Sequence, residues 1–115
     1  MDSICRSGYI ARMASTFAVL ADPSRREILD LLREGERPVG DLVERLTLTQ
    51  PTVSKHLKVL REAGLVEVRT DAQRRWYRVS PGPLAEIDAW LAPYRRMWEK
   101  SLDALERRLD EIEGD

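Results

Sequence analysis

Cysteine and histidine are scarce: the 115-residue chain has one of each, Cys5 and His56. A single cysteine excludes an intrachain disulfide, and the first 12 residues lack a clear signal-peptide core, so a cytoplasmic protein is predicted. No stretch approaches the ~18 consecutive apolar residues that a membrane helix needs. A chain of this length can build a core without disulfides, so we expect one domain over residues 1–115.

An excess of charge of one sign is also lacking, because 19 lysines and arginines oppose 20 aspartates and glutamates. The charges are nevertheless segregated. Residues 50–79 carry seven cations and three anions, whereas residues 84–115 carry five cations and nine anions. A basic middle and an acidic tail favour a nucleic-acid surface that faces away from an assembly surface. Two solvated faces of opposite sign are the alternative.

Catalytic constellations are missing as well. The sequence contains no recognisable nucleophile–base pair, carboxylate pair or phosphate-cradling glycine loop. We therefore predict no enzymatic activity and no cofactor.

The residues that are present form a series of helix patterns. Residues 1–12 are weakly patterned and are predicted to be a partly disordered extension, with Met13 as an alternative natural start. A first helix that ends near Ala21 is indicated by four apolar residues on one helical face: Ile10, Met13, Phe17 and Leu20. Asp22 is suited to cap a second helix, and Pro23 fits its first position. That helix is expected to end around Gly35.

Two further helices lie close together. Val39 to Leu46 is predicted to be a short helix, and a connection of about three residues leads to Thr49, a good N-cap. Three apolar residues then mark the buried face of the next helix, which should end before Gly64: Val53, Leu57 and Leu60. Two short helices joined in this way predict a helix-turn-helix, in which the second helix is presented to the major groove.

A β-hairpin, or wing, is predicted to follow directly. Residues 65–69 and 75–79 alternate with a period of two and are rich in β-formers. Arg69, Arg74 and Arg75 would lie near its tip, where they suit phosphate or minor-groove contact. Ordinary solubilising arginines are the alternative.

The exposed face of the helix that follows Thr49 supplies the other DNA-binding candidates. They are Gln50, Thr52, Ser54, Lys55 and Lys58. Glutamine can bond adenine bidentately, lysine can address guanine, and hydroxyls suit phosphates or base edges. For Arg25 and Arg26, phosphate contact and a surface salt bridge are equally expected. His56 is expected to be packed or hydrogen-bonded, with phosphate contact as the second interpretation.

The end of the chain carries a stripe that needs a partner. After the break at residues 80–83, helical periodicity resumes and meets Pro93, which is expected to kink or restart the helix. A near-heptad seam follows: Tyr94, Trp98, Leu102, Leu105, Leu109 and Ile112. Residues 83–113 are therefore predicted to be dimerisation helices, and the predicted interface comprises Phe17, Tyr94, Trp98, Leu102, Leu105 and Leu109.

Three stretches resemble the ArsR family of bacterial winged-helix repressors: LADPSRREILDLL, QPTVSKHLKVLREAGLV and RRWYRVS. The resemblance covers residues 14–79, and the tail is similar to that of a branch without the metal-binding motifs. It implies a mainly α winged helix-turn-helix with a small β-hairpin and about five helices, dimerised through its terminal helices. It also implies a homodimer that binds a pseudo-palindromic operator in double-stranded DNA and represses its own operon until a signal releases it.

Metal sensing is not predicted. Metal-sensing members of the family carry Cys-x-Cys on the first helix of the helix-turn-helix, or histidine and carboxylate ligands on the last helix. Here residues 38–42 contain no thiol and the last helix contains no histidine. A metal- or redox-responsive sensor that uses Cys5 is one alternative, and a winged-helix module that binds protein is another. The sequence names no effector.

Overall fold

The computed structural model describes residues 2–113, with side chains for residue 8 and residues 10–113. Cys5, on which the redox alternative rests, lies outside the described side chains. The described elements are α1 (Asp2–Leu20), α2 (Pro23–Arg33), β1 (Arg37–Pro38), α3 (Val39–Leu46), α4 (Gln50–Glu62), β2 (Val66–Asp71), β3 (Arg74–Val79) and α5 (Gly82–Glu113). The chain divides into two compact units, Met1–Leu84 and Ala85–Asp115.

The first helix buries only part of the stripe that the sequence pattern suggested. Met13 is buried and Leu20 is partly buried, as predicted, whereas Ile10 and Phe17 are exposed. Thr16 and Val19 are the other buried side chains of the helix. The hydroxyl of Thr16 donates to the carbonyl of Arg12 (2.9 Å), which satisfies a polar group on the buried face. Residues three apart share a helical face, so a buried threonine takes a position that the apolar pattern leaves out.

The second helix begins as predicted. The Asp22 carboxylate accepts hydrogen bonds from the backbone N–H of Ser24 (2.8 Å) and Arg25 (3.3 Å), and Pro23 opens the helix. Burial opposes the charged form of Asp22, but these bonds outweigh it and lower its pKa. The inward residues of the helix are Ile28, Leu29 and Leu32.

The sheet has one strand more than the predicted hairpin. β1 pairs antiparallel with β3, which pairs with β2, in the order β1-β3-β2. Arg37 lies opposite Tyr77, and Pro38 lies opposite Trp76. A two-residue strand that contains a proline has no alternating pattern of its own, and proline is tolerated on an edge strand because its missing N–H can face away from the ladder.

The core of the first unit is shared by all of its longer elements. Its least exposed large side chains come from α2, α3, α4 and the residue before β2: Ile28, Leu42, Val53, Leu57, Leu60 and Leu65. Tyr77 of β3 and Val66 of β2 join them, so the sheet covers one side of the helical core. The apolar face of α4 packs in this core, and its opposite face is exposed to solvent.

The last helix is not divided at Pro93. α5 runs as one helix of 32 residues with Pro93 inside it, so of the two predicted effects, a kink or a restart, the restart does not occur. A proline removes one intrahelical hydrogen bond and costs about 3 kcal/mol in a helix interior, which the many remaining bonds of a long helix can outweigh. The helix contains no buried residue among those described.

Candidate nucleic-acid interface

The helix-turn-helix consists of α3, a three-residue turn and α4. Thr47 leaves α3 in the left-handed region (φ 53°), which turns the chain sharply. Thr49 then caps α4: its hydroxyl accepts from the backbone N–H of Thr52 (3.4 Å) and shares a hydrogen bond with the Thr52 hydroxyl (2.8 Å). The predicted cap is confirmed, and it holds the first turn of α4 in a fixed conformation.

The other end of α4 is closed by a Schellman motif. The N–H of Gly64 donates to the carbonyl of Arg61 (2.9 Å), and the N–H of Leu65 donates to the carbonyl of Leu60 (2.9 Å). Gly64 adopts φ +77°, a conformation that side chains disfavour. Leu65 is fully buried, so the chain leaves the helix directly into the core and then into the wing.

The two faces of α4 differ as the sequence predicted. Val53, Leu57 and Leu60 are at most 1% exposed. The polar candidates are all exposed: Gln50, Thr52, Ser54, Lys55 and Lys58. The helix therefore exposes an amide, two hydroxyls and two ammonium groups to solvent, while its apolar face packs in the core. Contact of these groups with DNA stays a prediction.

The three wing arginines have different surroundings. Arg69 lies opposite Trp76 in the ladder, two residue pairs before the turn. Its guanidinium donates to both carboxylate oxygens of Glu36 (3.1 and 3.2 Å) and lies 5.9 Å from the Trp76 ring centroid. The hydrogen bond from Arg69 holds the pKa of the Glu36 carboxyl below its usual value. Arg69 is thus not at the tip, and it is already bonded.

Arg74 and Arg75 match the predicted tip more closely. Arg74 forms the last residue pair of the hairpin, with Asp71, and Arg75 pairs with Thr70. Both side chains are exposed, and neither bonds to another residue in the described part of the chain. Two guanidiniums at the end of a short hairpin are free to bind an anion.

A second arginine network fixes β1 against α3. The guanidinium of Arg37 donates to Asp41 (2.7 Å), Glu34 (2.8 Å) and the carbonyl of Leu31 (3.1 Å). The bond from Arg37, together with one from Arg45, lowers the pKa of Asp41. Sequence patterns missed this network because Arg37 and Pro38 only indicated the end of a helix.

Arg25 and Arg26 form no salt bridge with the described side chains, and their contact with phosphate stays a prediction. Arg26 donates to the carbonyls of Leu20 (2.8 Å) and Ala21 (3.3 Å). Arg25 donates to the carbonyl of Val19 (3.2 Å) and, through Nε, to Nδ1 of His56 (3.3 Å). The expectation of a hydrogen-bonded His56 is confirmed.

Metal-binding clusters and membrane-spanning helices are both absent from the described residues. No group of three or more histidine, cysteine, aspartate or glutamate side chains there could hold a metal ion. No helix over the same range is long and apolar enough to cross a membrane.

A capped helix with a polar outer face, preceded by a short helix and followed by a β-hairpin, defines the winged helix-turn-helix class. Residues 22–68 match the family model described as the bacterial regulatory protein, arsR family. The chain is 32% identical over 79 residues to the transcriptional repressor SdpR of Bacillus subtilis, covering 69% of this chain and 88% of that protein.

Two further proteins extend the likeness to most of the chain. The HTH-type transcriptional regulator Rv2034 of Mycobacterium tuberculosis is 40% identical over 96 residues, covering 84% of this chain and 86% of that protein. The solved homodimeric winged helix-turn-helix DNA-binding domain from Mycobacterium bovis is 26% identical, with a TM-score of 0.65, covering 92% of this chain and 89% of that one. The chain belongs to the ArsR family of bacterial regulatory proteins, whose members regulate transcription.

Proposed function

We propose that the protein is a homodimeric transcriptional repressor that binds a pseudo-palindromic operator in double-stranded DNA, in the bacterial cytoplasm, and represses its own gene. The observation that carries the proposal is the exposed polar face of α4, held by a buried apolar face and capped at both ends. Sequence-specific regulators need such a rigid helix, because base contacts work only when the side chains keep their register in the groove.

Within this interface we assign base reading to the first half of α4. Gln50, Ser54 and Lys55 lie in the first two turns, from which helix-turn-helix proteins reach base edges. Thr52 shares its hydroxyl with the cap and is better suited to a phosphate, and Lys58, one turn further on, also suits the backbone.

For the wing we assign phosphate or minor-groove contact to Arg74 and Arg75, which have no other partner in the described residues. Arg69 keeps a smaller role, because it would have to release Glu36 to reach DNA.

The assembly surface is the stripe on α5. Trp98, Leu102, Leu105 and Leu109 are each at least half exposed, and Tyr94 and Phe17 are 44% exposed. Monomeric proteins rarely leave a continuous apolar stripe in water, and a two-fold related copy would cover it with an identical stripe. A dimer also supplies two α4 helices, one for each half of a pseudo-palindrome.

The experiment is a titration of a labelled DNA fragment from upstream of the protein's own gene, followed by fluorescence anisotropy at several salt concentrations. We expect affinity to fall steeply with salt, with a log–log slope of about −0.9 per phosphate neutralised. The double variant Lys55→Ala/Arg75→Ala should weaken binding by about 100-fold or more, since both subunits lose two contacts.

The matched control is Arg96→Ala/Lys100→Ala, which removes the same charge from exposed positions of α5 away from the stripe. It should bind within about threefold of the unaltered protein if distant surface charges are screened by salt. Equal binding by the two double variants would contradict the assignment of the surface. If the protein binds no DNA at any of these salt concentrations, a winged-helix module that binds protein is favoured instead.

A further inference from the structure

A polar contact joins α4 to α2. Arg25 of α2 donates from Nε to Nδ1 of His56 on α4 at 3.3 Å, and its Nη1 donates to the carbonyl of Val19 at 3.2 Å. One guanidinium therefore bonds at the same time to the end of α1 and to the helix that carries the DNA-binding candidates. Val19 lies two residues after Phe17, which belongs to the proposed dimer surface.

The chemistry of the pair fixes the state of the imidazole. A guanidinium in a protein stays protonated and only donates, so Nδ1 must be the acceptor. Neutral His56 then carries its proton on Nε2. An imidazolium has a proton on both nitrogens, so it cannot accept from Arg25, and two cations would face each other at hydrogen-bond distance.

We propose that Arg25 is a positioning residue for DNA binding: its hydrogen bond to His56 sets α4 relative to the end of α1. The inference rests on the proposed reading of DNA by α4. Arg25 and His56 act through the orientation of the helix, and the side chains that contact DNA are others.

The first test reads the bond without DNA. Because His56 is the only histidine, its two ring nitrogens give one unambiguous set of signals in a ¹H–¹⁵N NMR spectrum. At neutral pH we expect an unprotonated Nδ1 and a protonated Nε2 in the unaltered protein, and a mixture of tautomers in Arg25→Ala. A protonated Nδ1 in the unaltered protein would overturn the proposal.

The second test uses neighbouring arginines as a matched pair. Arg25 and Arg26 both bond to carbonyls at the end of α1, but only Arg25 also bonds to α4. We expect Arg25→Ala to weaken operator binding about tenfold or more, the effect of losing a hydrogen bond to a charged group in each subunit. Arg26→Ala should change it by less than about threefold. Equal losses in the two variants, at similar thermal stability, would contradict the positioning role.

The third test is His56→Asn, which keeps an acceptor near the position of Nδ1. This variant should bind the operator within about threefold of the unaltered protein. A loss of affinity as large as that of Arg25→Ala would overturn the proposal.

These readouts separate two failures. A protein that shows no salt-dependent DNA binding contradicts the proposed function, whereas the NMR spectrum decides the Arg25–His56 bond independently. If Arg25→Ala does not fold, the spectrum of the unaltered protein and the operator affinity of His56→Asn still give both expected and contradicting outcomes.

Discussion

The winged unit and the terminal helix treat their apolar side chains in opposite ways. In the winged unit, Ile28, Leu42, Leu57 and Leu60 are at most 1% exposed. In the terminal helix no described residue is buried, and its apolar stripe is open to solvent. The first unit is closed around its own core, whereas the second has a surface that only contact with another surface removes from water. Stability and assembly are therefore expected to respond to different substitutions.

The largest effect should come from the core behind α4. Leu57→Ala removes a side chain that is 1% exposed, and we expect a loss of about 2–5 kcal/mol in the free energy of unfolding, because a cavity remains. Denaturant unfolding measures it at a protein concentration low enough to dissociate the dimer. Leu102→Ala, on the open stripe, should leave the unfolding of the monomer nearly unchanged; equal losses would erase the contrast between the units.

Assembly should respond to the stripe alone. Leu102→Asp places a carboxylate in the proposed interface, and we expect the dimer dissociation constant to rise about 100-fold or more, since an unpaired charge is costly to bury. Light scattering after size exclusion at several concentrations measures this. Ala104→Asp adds the same charge at an exposed position away from the stripe and should leave the dimer intact. If both variants remain dimeric, the interface lies elsewhere.

The cap of α4 should have an intermediate effect. Thr49→Ala removes the oxygen that accepts from Thr52, and we expect a loss of about 1 kcal/mol in the free energy of unfolding. Thr49→Ser keeps the oxygen and should lose much less. Because the cap holds the first turn, operator affinity should fall in the same order. An alanine variant as stable as the serine variant would show that the cap is dispensable.

The wing turn offers a small gain. Ala72 adopts φ 57°, a conformation that costs a residue with a Cβ about 1–2 kcal/mol. Ala72→Gly should therefore stabilise the protein by about 0.5–1 kcal/mol, part of the strain being offset by the greater freedom of glycine in the unfolded chain. Gly64→Ala, at φ +77°, should do the reverse. Thermal unfolding tests the pair, and a destabilised Ala72→Gly would show that the turn is unstrained.

The smallest effect should be a pH dependence at the base of the wing. Arg69 lowers the pKa of Glu36 below its ordinary value of 4.5. A group whose pKa is lower in the folded state stabilises the fold above its unfolded pKa, and this contribution disappears as the pH falls through the folded pKa. The stability gap between the unaltered protein and Glu36→Gln should thus be full above pH 4.5 and close below it. A gap that does not change with pH would mean that the carboxylate charge is not what Arg69 recognises.

Local signals predicted much of the winged unit. Capping chemistry and periodicity act over a few residues, and they predicted four features: the bounds of α3, the Asp22 and Thr49 caps, the end of α4 before Gly64, and the hairpin. The burial of Val53, Leu57 and Leu60 followed from the same spacing. These features need no knowledge of the tertiary fold.

Contacts between distant residues were missed for a physical reason. β1 is two residues long and exists only because β3 pairs with it, and Glu36 meets Arg69 across 33 positions of sequence. Arg25 and His56 are 31 positions apart. At Pro93 the predicted restart does not occur, because the local cost of the proline is outweighed within a long helix.

The most direct measurement of the central claim is a footprint of the purified protein on DNA upstream of its own gene. A dimer that presents two α4 helices should protect two half-sites whose centres lie about one helical turn apart, roughly 10 base pairs, and Lys55→Ala/Arg75→Ala should lose both together. A single protected half-site, or none at a salt concentration at which related repressors bind, would contradict a dimer that binds DNA through two α4 helices.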